Sequence, residues 1–334
     1  MASKHCGAKL LDCDKYMLST FAQKYPALGL TIVTVFWGLS FSLMRNWQLR
    51  AHEWTGDDPA RQAQASLILM VIRMTAGTLV FGTLALRLPR TQAPGWGAGA
   101  WVGVFMGIGL FLQLWGLAHT TPALCAFFTG LASLWVPIIA YLLFGKSVAL
   151  ANIAGLVLSL IGGTILVEGG WKLGIGELLT VFASVMFAAQ IIALDRLGQN
   201  ADASRMSAGF FLAIALLSAL GVAALTPGIG TYETVSFLTN TLTDRWVQLD
   251  LVLLIALPTL WGFWWMNLCQ PRLDATRAGL IYLLEPVFST LFSWLIGHDA
   301  LTVALVAGGG LILLGNAVAE WGVVRKPSDQ DLVT

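Results

Sequence analysis

Charge is scarce in this chain. Average globular proteins carry about a quarter charged residues; here Asp, Glu, Lys and Arg make up 11% of 334 positions, against 57% hydrophobic residues. So few charges cannot cover a soluble fold of this length. That excludes a soluble protein and leaves an integral membrane protein whose solvent is mostly lipid. The net charge is +1, so there is no basic field and nucleic acid is excluded as a partner.

Chemistry-bearing motifs are also missing. The four cysteines form no CxxC and no Cys/His spacing. That excludes a zinc site or disulfide framework and leaves Cys6, Cys13, Cys125 and Cys269 as small polarizable residues. There is no GxxxxGK[ST], so the chain has no nucleotide motor of its own. There is no HExxH, GxSxG or paired-aspartate motif, so neither a catalytic residue nor a cofactor is expected, and the chain is not read as an enzyme. A signal peptide is absent too. Residues 1 to 24 are polar, and the first apolar run is 20 residues, longer than a signal-peptide core. In that tail Leu10, Leu11, Met17, Leu18 and Phe21 form one apolar face of a surface helix, or the tail is disordered; both readings stand.

What is present is a series of long apolar runs. A helix needs about 20 mostly apolar residues to cross the hydrocarbon. The uncharged stretch from Thr91 to Gly145 fits two crossings, broken at His119-Thr120-Thr121-Pro122. The same test predicts ten spans, at 26–45, 65–86, 96–118, 122–144, 148–167, 174–194, 205–226, 249–269, 276–296 and 300–320. With the N-terminus inside, inside segments hold 13 of the 19 Lys and Arg residues, outside segments 5, and Arg73 falls within a span. The bias predicts that both termini are cytoplasmic.

The chain also echoes itself. Trp115, Gly130, Leu131, Leu134 and Pro137 recur 149 residues later as Trp264, Gly279, Leu280, Leu283 and Pro286. Gly155 and Gly162 recur 153 residues later as Gly308 and Gly315, and Arg73–Gly77 (RMTAG) echoes Arg205–Gly209 (RMSAG). The fold class expected is therefore an all-α polytopic membrane protein of ten transmembrane helices. Residues 26–169 form repeat 1, residues 174–321 form repeat 2, and tails cover 1–25 and 322–334. Five helices per repeat makes the two repeats inverted, a pattern of secondary transporters with a midplane substrate site.

Three stretches resemble a known family. GLAHTTPALCAFFTGLASLWVPIIAYLLFGKSVALANIAGLVLSLIGGTILVEG (116–169) resembles the signature region of the EamA domains of the drug/metabolite transporter superfamily. LLEPVFSTLFSWLIGHDALTVALVAGGGLILLGNAV (283–318) looks like the second copy, and WGLSF (37–41) resembles the opening span. The likeness covers about 26–320. It implies ten helices with both ends cytoplasmic, a cell membrane (the inner membrane of a bacterium), and outward movement of small metabolites such as amino acids or amines. Members usually carry an acidic residue after the glycine closing the fourth span. Here Lys146 follows Gly145, and in the second copy His298 and Asp299 follow Gly297.

Within the spans, Glu285 and Pro286 stand in an otherwise uncharged run from Ala278 to Gly297. An ionised side chain at a helix centre costs about 2.5–3.5 kcal/mol, so it faces a wet cavity, pairs, or takes a proton. Pro286 leaves the carbonyl near Tyr282 without its helical partner. Glu285 is thus a candidate for substrate binding or coupling, or a fixer of packing. Arg73 either snorkels to the headgroups or faces the bundle and pairs with Glu285 or an anionic substrate. Trp261, Trp264 and Trp265 share a helix face, and with Trp37, Trp115 and Trp135 they lie at mid-depth. The cavity wall expected is Trp37, Gln113, Trp115, Trp135, Gln190, Trp261, Trp264, Asn267, Tyr282 and Glu285. Gln113, Gln190 and Asn267 hold either substrate or a neighbouring helix. Gly95, Gly99, Gly103 and Gly107 line one face where another backbone approaches.

The leading expectation is a secondary transporter, an exporter, of small organic metabolites by alternating access. Its partners are a small-molecule substrate and the lipid bilayer, with a homodimer left open. The alternatives are a channel or accessory membrane subunit and, further off, an intramembrane enzyme.

Overall fold

The structure is a computed structural model that describes residues 21–22, 24–87, 95–145, 150–166, 174–199, 201–273 and 275–324. The readings of the N-terminal tail before residue 21, of Lys146, and of the C-terminal tail beyond 324 lie outside these residues. Among the described residues the regular structure is helical and no strand occurs.

Helices start where the sequence supplies starters. Proline opens α1 (Pro26–Thr55), α2 (Pro59–Arg87) and, after α3 (Trp96–Leu117), α4 (Pro122–Thr129). Proline suits a first turn because that turn has no use for its missing N–H. Then come α5 (Ala132–Phe144), α6 (Leu150–Leu166), α7 (Ile175–Leu197), α8 (Ala203–Ile229), α9 (Thr231–Thr243) and α10 (Arg245–Leu254). The Asp202 carboxylate accepts from Arg205 N at 2.9 Å and Asp244 from Trp246 N at 2.8 Å, capping α8 and α10. A π-helical segment, Ile255–Gly262, joins α10 to α11 (Phe263–Cys269), and a short 3-10 turn, Gln270–Arg272, comes after it. The chain continues through α12 (Ala275–Tyr282), α13 (Leu284–Ile296) and α14 (Val303–Val324).

Among the described residues, seven stretches are long and apolar enough to cross a membrane: Pro26–Thr55, Pro59–Arg87, Trp96–Leu117, Pro122–Phe144, Ile175–Leu197, Ala203–Ile229 and Arg245–Arg272. Shorter apolar stretches lie at Ile153–Gly162, Leu284–Ile296 and Val303–Gly315. Two of the expected spans, 122–144 and 276–296, are broken: α4 stops before α5 at Gly130-Leu131, and α12 stops before α13 at Leu283. One helix, α9, was not expected. Phe237 on it stacks on Trp54 at 4.4 Å between ring centroids, and Glu233 pairs with Arg61 at 2.6 Å. These contacts hold α9 over the turn between α1 and α2.

Glycine sets the closest helix approaches. A methyl group added at Gly99 would overlap the Met206 carbonyl, one at Gly103 would sit 2.6 Å from the Phe210 carbonyl, and one at Gly209 would overlap the Trp96 carbonyl. So α3 and α8 meet backbone to backbone. The α6–α14 pair does the same reciprocally: Gly162 lies against the Gly308 carbonyl, and Gly315 against the Gly155 carbonyl, each 2.5 Å from an added methyl. Apolar side chains such as Leu79, Trp101, Leu142, Ile153, Leu220 and Val306 point outward. An exposed apolar belt of this kind needs lipid around it.

Gly315→Ala is expected to lower stability by about 1–3 kcal/mol through overpacking. Gly310→Ala on the same helix meets nothing within 4 Å, and should be neutral or stabilising by up to about 1 kcal/mol. Thermal unfolding of the two variants in detergent separates these outcomes.

Candidate functional site

Between the helices lies a cavity in which the centres of water molecules have about 70 Å³ of room. The two helix breaks border it. Thr129 and Gly130 come from the first break; Tyr282, Leu283, Glu285 and Pro286 come from the second. The breaks face each other, since a methyl group on Gly130 would sit 3.3 Å from Pro286 Cγ. Ser289 Oγ also donates to the Pro122 carbonyl at 3.1 Å, tying α13 to the start of α4. Interrupted helices are tolerated at membrane depth where they line a cavity rather than meet lipid.

Proline makes the second break. Pro286 has no N–H to give to the Tyr282 carbonyl, and Tyr282 is the last residue of α12. Glu285 lies in the first turn of α13, borders the cavity, and has no hydrogen bond or ion pair among the described residues.

Arg73 sits mid-way along α2 and is 3% exposed, so it does not reach toward headgroups. Its Nε donates to Thr259 Oγ1 at 2.9 Å and its Nη1 to Met44 Sδ at 3.1 Å. Thr259 belongs to the π-helical segment and donates in turn to the Leu254 carbonyl at 2.7 Å. The same segment offers the Pro258 carbonyl to Trp37 Nε1 at 3.2 Å. One wide turn therefore fixes both a cation and an indole at the cavity. Arg73 and Glu285 share the cavity, but no ion pair within 4 Å joins them.

Of the residues singled out from sequence, Trp37, Arg73, Gln113, Gln190, Tyr282 and Glu285 line this cavity. Trp37 stacks on Tyr282 at 5.6 Å and 26°. The Tyr282 hydroxyl donates to Gln270 Oε1 at 2.7 Å, and Gln113 donates to Thr129 Oγ1 at 3.1 Å. Trp115, Trp135, Trp261, Trp264 and Asn267 lie off the cavity. Trp115 stacks on Phe111, and Trp135 Nε1 donates to Ser184 Oγ at 3.0 Å, joining α5 to α7. Trp261 packs edge-on against Phe36, Trp264 against Phe81 and Trp265, and Asn267 Nδ2 donates to Ser207 Oγ at 3.1 Å. For Trp261, Trp264 and Asn267, which lie in or after the π-helical segment, the wide turn explains the shift: one extra residue per turn rotates every later residue of the span by about 100° relative to a regular helix. Ser40, Met44, Phe187 and Phe263 line the cavity although sequence reasoning did not select them. Nothing in their residue types separates them from ordinary packing.

One end of the bundle is closed by polar bonds. Arg45 Nη1 donates to the Leu117 and Ala118 carbonyls at 2.7 and 3.2 Å, at the C-terminus of α3. Asp299 accepts from Ala123 N at 3.1 Å, and Asn46 donates to Asp250 at 2.9 Å. His119 and His298 lie in the loops here. Burial, and after it the nearby Arg45 charge, pushes both imidazoles below their usual range. The opposite end is closed by Gln270, which joins Tyr282 to the Ile191 carbonyl, and by Gly29 packed against Cys269 Sγ.

Comparison with known proteins points one way. Residues 174–319 match the EamA-like transporter family. An uncharacterized transporter of Archaeoglobus fulgidus is 24% identical over 290 residues, covering 87% of this chain and 84% of that one. A protein of Chlamydia trachomatis serovar D named as an S-adenosylmethionine/S-adenosylhomocysteine transporter is 24% identical over 323 residues, covering 87% and 89%. A protein of known crystal structure, 23% identical, superposes with a TM-score of 0.56 over 89% of this chain and 99% of that chain, a likeness of fold.

Thr259→Val keeps the side-chain shape but removes the acceptor of Arg73 Nε. A buried charged donor left unpaired costs about 1–3 kcal/mol or more. The thermal midpoint of the purified variant in detergent should fall accordingly, and an unchanged midpoint would show that Thr259 does not hold Arg73.

Proposed function

We propose, from the match of residues 174–319 to the EamA-like transporter family, that the whole chain is a secondary transporter of small organic metabolites. The substrate class is amino acids, amines and related compounds, moved outward by alternating access. The naming of the C. trachomatis relatives as S-adenosylmethionine/S-adenosylhomocysteine transporters supports including compounds that bear an amino-acid group.

The architecture proposed is ten spans in two inverted five-helix repeats, with both termini cytoplasmic. Matched interruptions support it. An 8-residue helix precedes a 13-residue helix at α4–α5, and the same lengths recur at α12–α13. Each 13-residue helix ends at a glycine of positive φ, Gly145 at 66° and Gly297 at 89°. The reciprocal glycine contacts of α6 and α14 also support it. Gly155 and Gly162 correspond to Gly308 and Gly315, and each early glycine meets the counterpart of the other, Gly155 with Gly315 and Gly162 with Gly308. That is the contact pattern of a two-fold interface. Thr34-Val35-Phe36 in α1 and Thr180-Val181-Phe182 in α7 are a further echo.

The observation that carries the function is the cavity at the meeting of the two breaks, lined by Glu285, Arg73 and the stacked pair of Trp37 and Tyr282. Transporter sites built at discontinuous helices near the midplane have this form. The test is flux in vesicles reconstituted with purified full-length protein, using a panel of amino acids, biogenic amines and S-adenosyl compounds. Saturable uptake and counterflow of at least one compound are expected. Glu285→Gln should reduce that flux about tenfold, the scale of one charge-assisted bond, with folded yield near normal. No flux across the panel would overturn the reading, and rapid unsaturable flux would replace the carrier with a channel.

A further inference from the structure

Arg73 and Glu285 are the two charged side chains that line the cavity among its described residues. They are opposite in sign and border one void, yet neither has a charged partner within 4 Å. Arg73 spends Nε on Thr259 and Nη1 on Met44, both uncharged. That leaves Nη2 without a partner among the described residues. Thr259 is itself anchored to the Leu254 carbonyl, so the guanidinium is held on the α2 side of the void. Glu285 borders the same void from the first turn of α13, beside the break at Leu283. Two opposite charges that line one void without pairing leave each other uncompensated, and a ligand carrying the complementary pair satisfies both at once.

We propose that the cavity is a zwitterion clamp. The ligand carboxylate sits at Arg73 and its ammonium at Glu285, while its apolar part lies against Trp37, Tyr282, Phe187 and Phe263. The clamp rests on the transporter reading and narrows it: an amine alone leaves the buried Arg73 uncompensated, and an acid alone leaves Glu285 so. A planar guanidinium suits a carboxylate because its donors match both oxygens.

The test uses matched competitors in the vesicle assay, measured against whichever panel compound the full-length protein moves. Phenylalanine is compared with phenethylamine and hydrocinnamate, and methionine with its decarboxylated and deaminated counterparts. In at least one series the zwitterion should inhibit about tenfold or more better than either one-charge analogue. Arg73→Gln should bring the zwitterion-to-amine ratio close to one, and Glu285→Gln should do the same for the zwitterion-to-acid ratio. An analogue that matches its zwitterion on the wild-type protein in both series overturns the clamp and leaves the carrier standing. Because the wild-type ratios decide this, the result does not depend on either variant folding. Should no compound move at all, the transporter reading fails, and the clamp fails with it.

Discussion

A guanidinium enclosed among neutral groups is the constraint on which the rest of this molecule depends. Arg73 has a hydroxyl and a thioether for partners and no carboxylate within 4 Å. In hydrocarbon such a charge is expensive, so the helices around it must leave polar space instead of closing on it. That requirement accounts for several features together. The π-helical turn puts Thr259 within reach, the break at Leu283 lets Glu285 border the same space, and the break at Gly130 keeps the facing wall slim. Each is costly alone, and each becomes tolerable when it lines a common cavity.

Parts of this were legible in the residues. Pro286 foretold an interruption because its missing bond belongs to Tyr282, and α12 ends there. Pro137 was less informative. Its missing bond belongs to Ser133 in the first turn of α5, so the helix tolerates it, and the break falls earlier, at Gly130-Leu131. The spacing of Gly95, Gly99 and Gly103 read directly as a surface for another backbone, which α8 supplies. Arg73 was harder to place, because the expected span begins at 65, after the polar Gln62 and Gln64. These side chains are buried and bonded, Gln62 to the Gly56 carbonyl and Gln64 to Thr226. So α2 starts at Pro59 rather than near 65, and Arg73 falls at its middle. Trp261 and Trp264 lie off the cavity for a related reason. Counting at 3.6 residues per turn assumes a regular helix, and Ile255–Gly262 is not one. Pro258 was the available hint, but a proline alone does not specify how many residues the turn will take.

The two ends of the bundle are tied together by different physics. Toward the end of α1 the closure uses Arg45 on carbonyls, Asn46 on Asp250, Asp299 on a helix N-terminus and, further out, the ion pairs of Arg50 with Asp244 and Arg61 with Glu233. Toward the start of α1 it uses the Tyr282–Gln270 bond and tight apolar packing at Gly29 and Cys269. The first closure is electrostatic and weakens with salt where it is exposed. The second depends on area and fit and is largely indifferent to salt.

The α6–α14 pair has two unlike faces. Outward, Ile153, Val157, Leu160, Val306 and Leu314 meet the surroundings, and one branched apolar residue there serves about as well as another. Inward, the Gly308 and Gly155 carbonyls rest against bare α-carbons at Gly162 and Gly315, and at those two positions no alternative residue type is small enough. Over long descent these two helices should therefore drift freely on one side and stay frozen on the other. When little else of a distant cousin's spelling survives, a glycine late in the first of these helices, answered by one in the second near the far end of the chain, is the trace to look for.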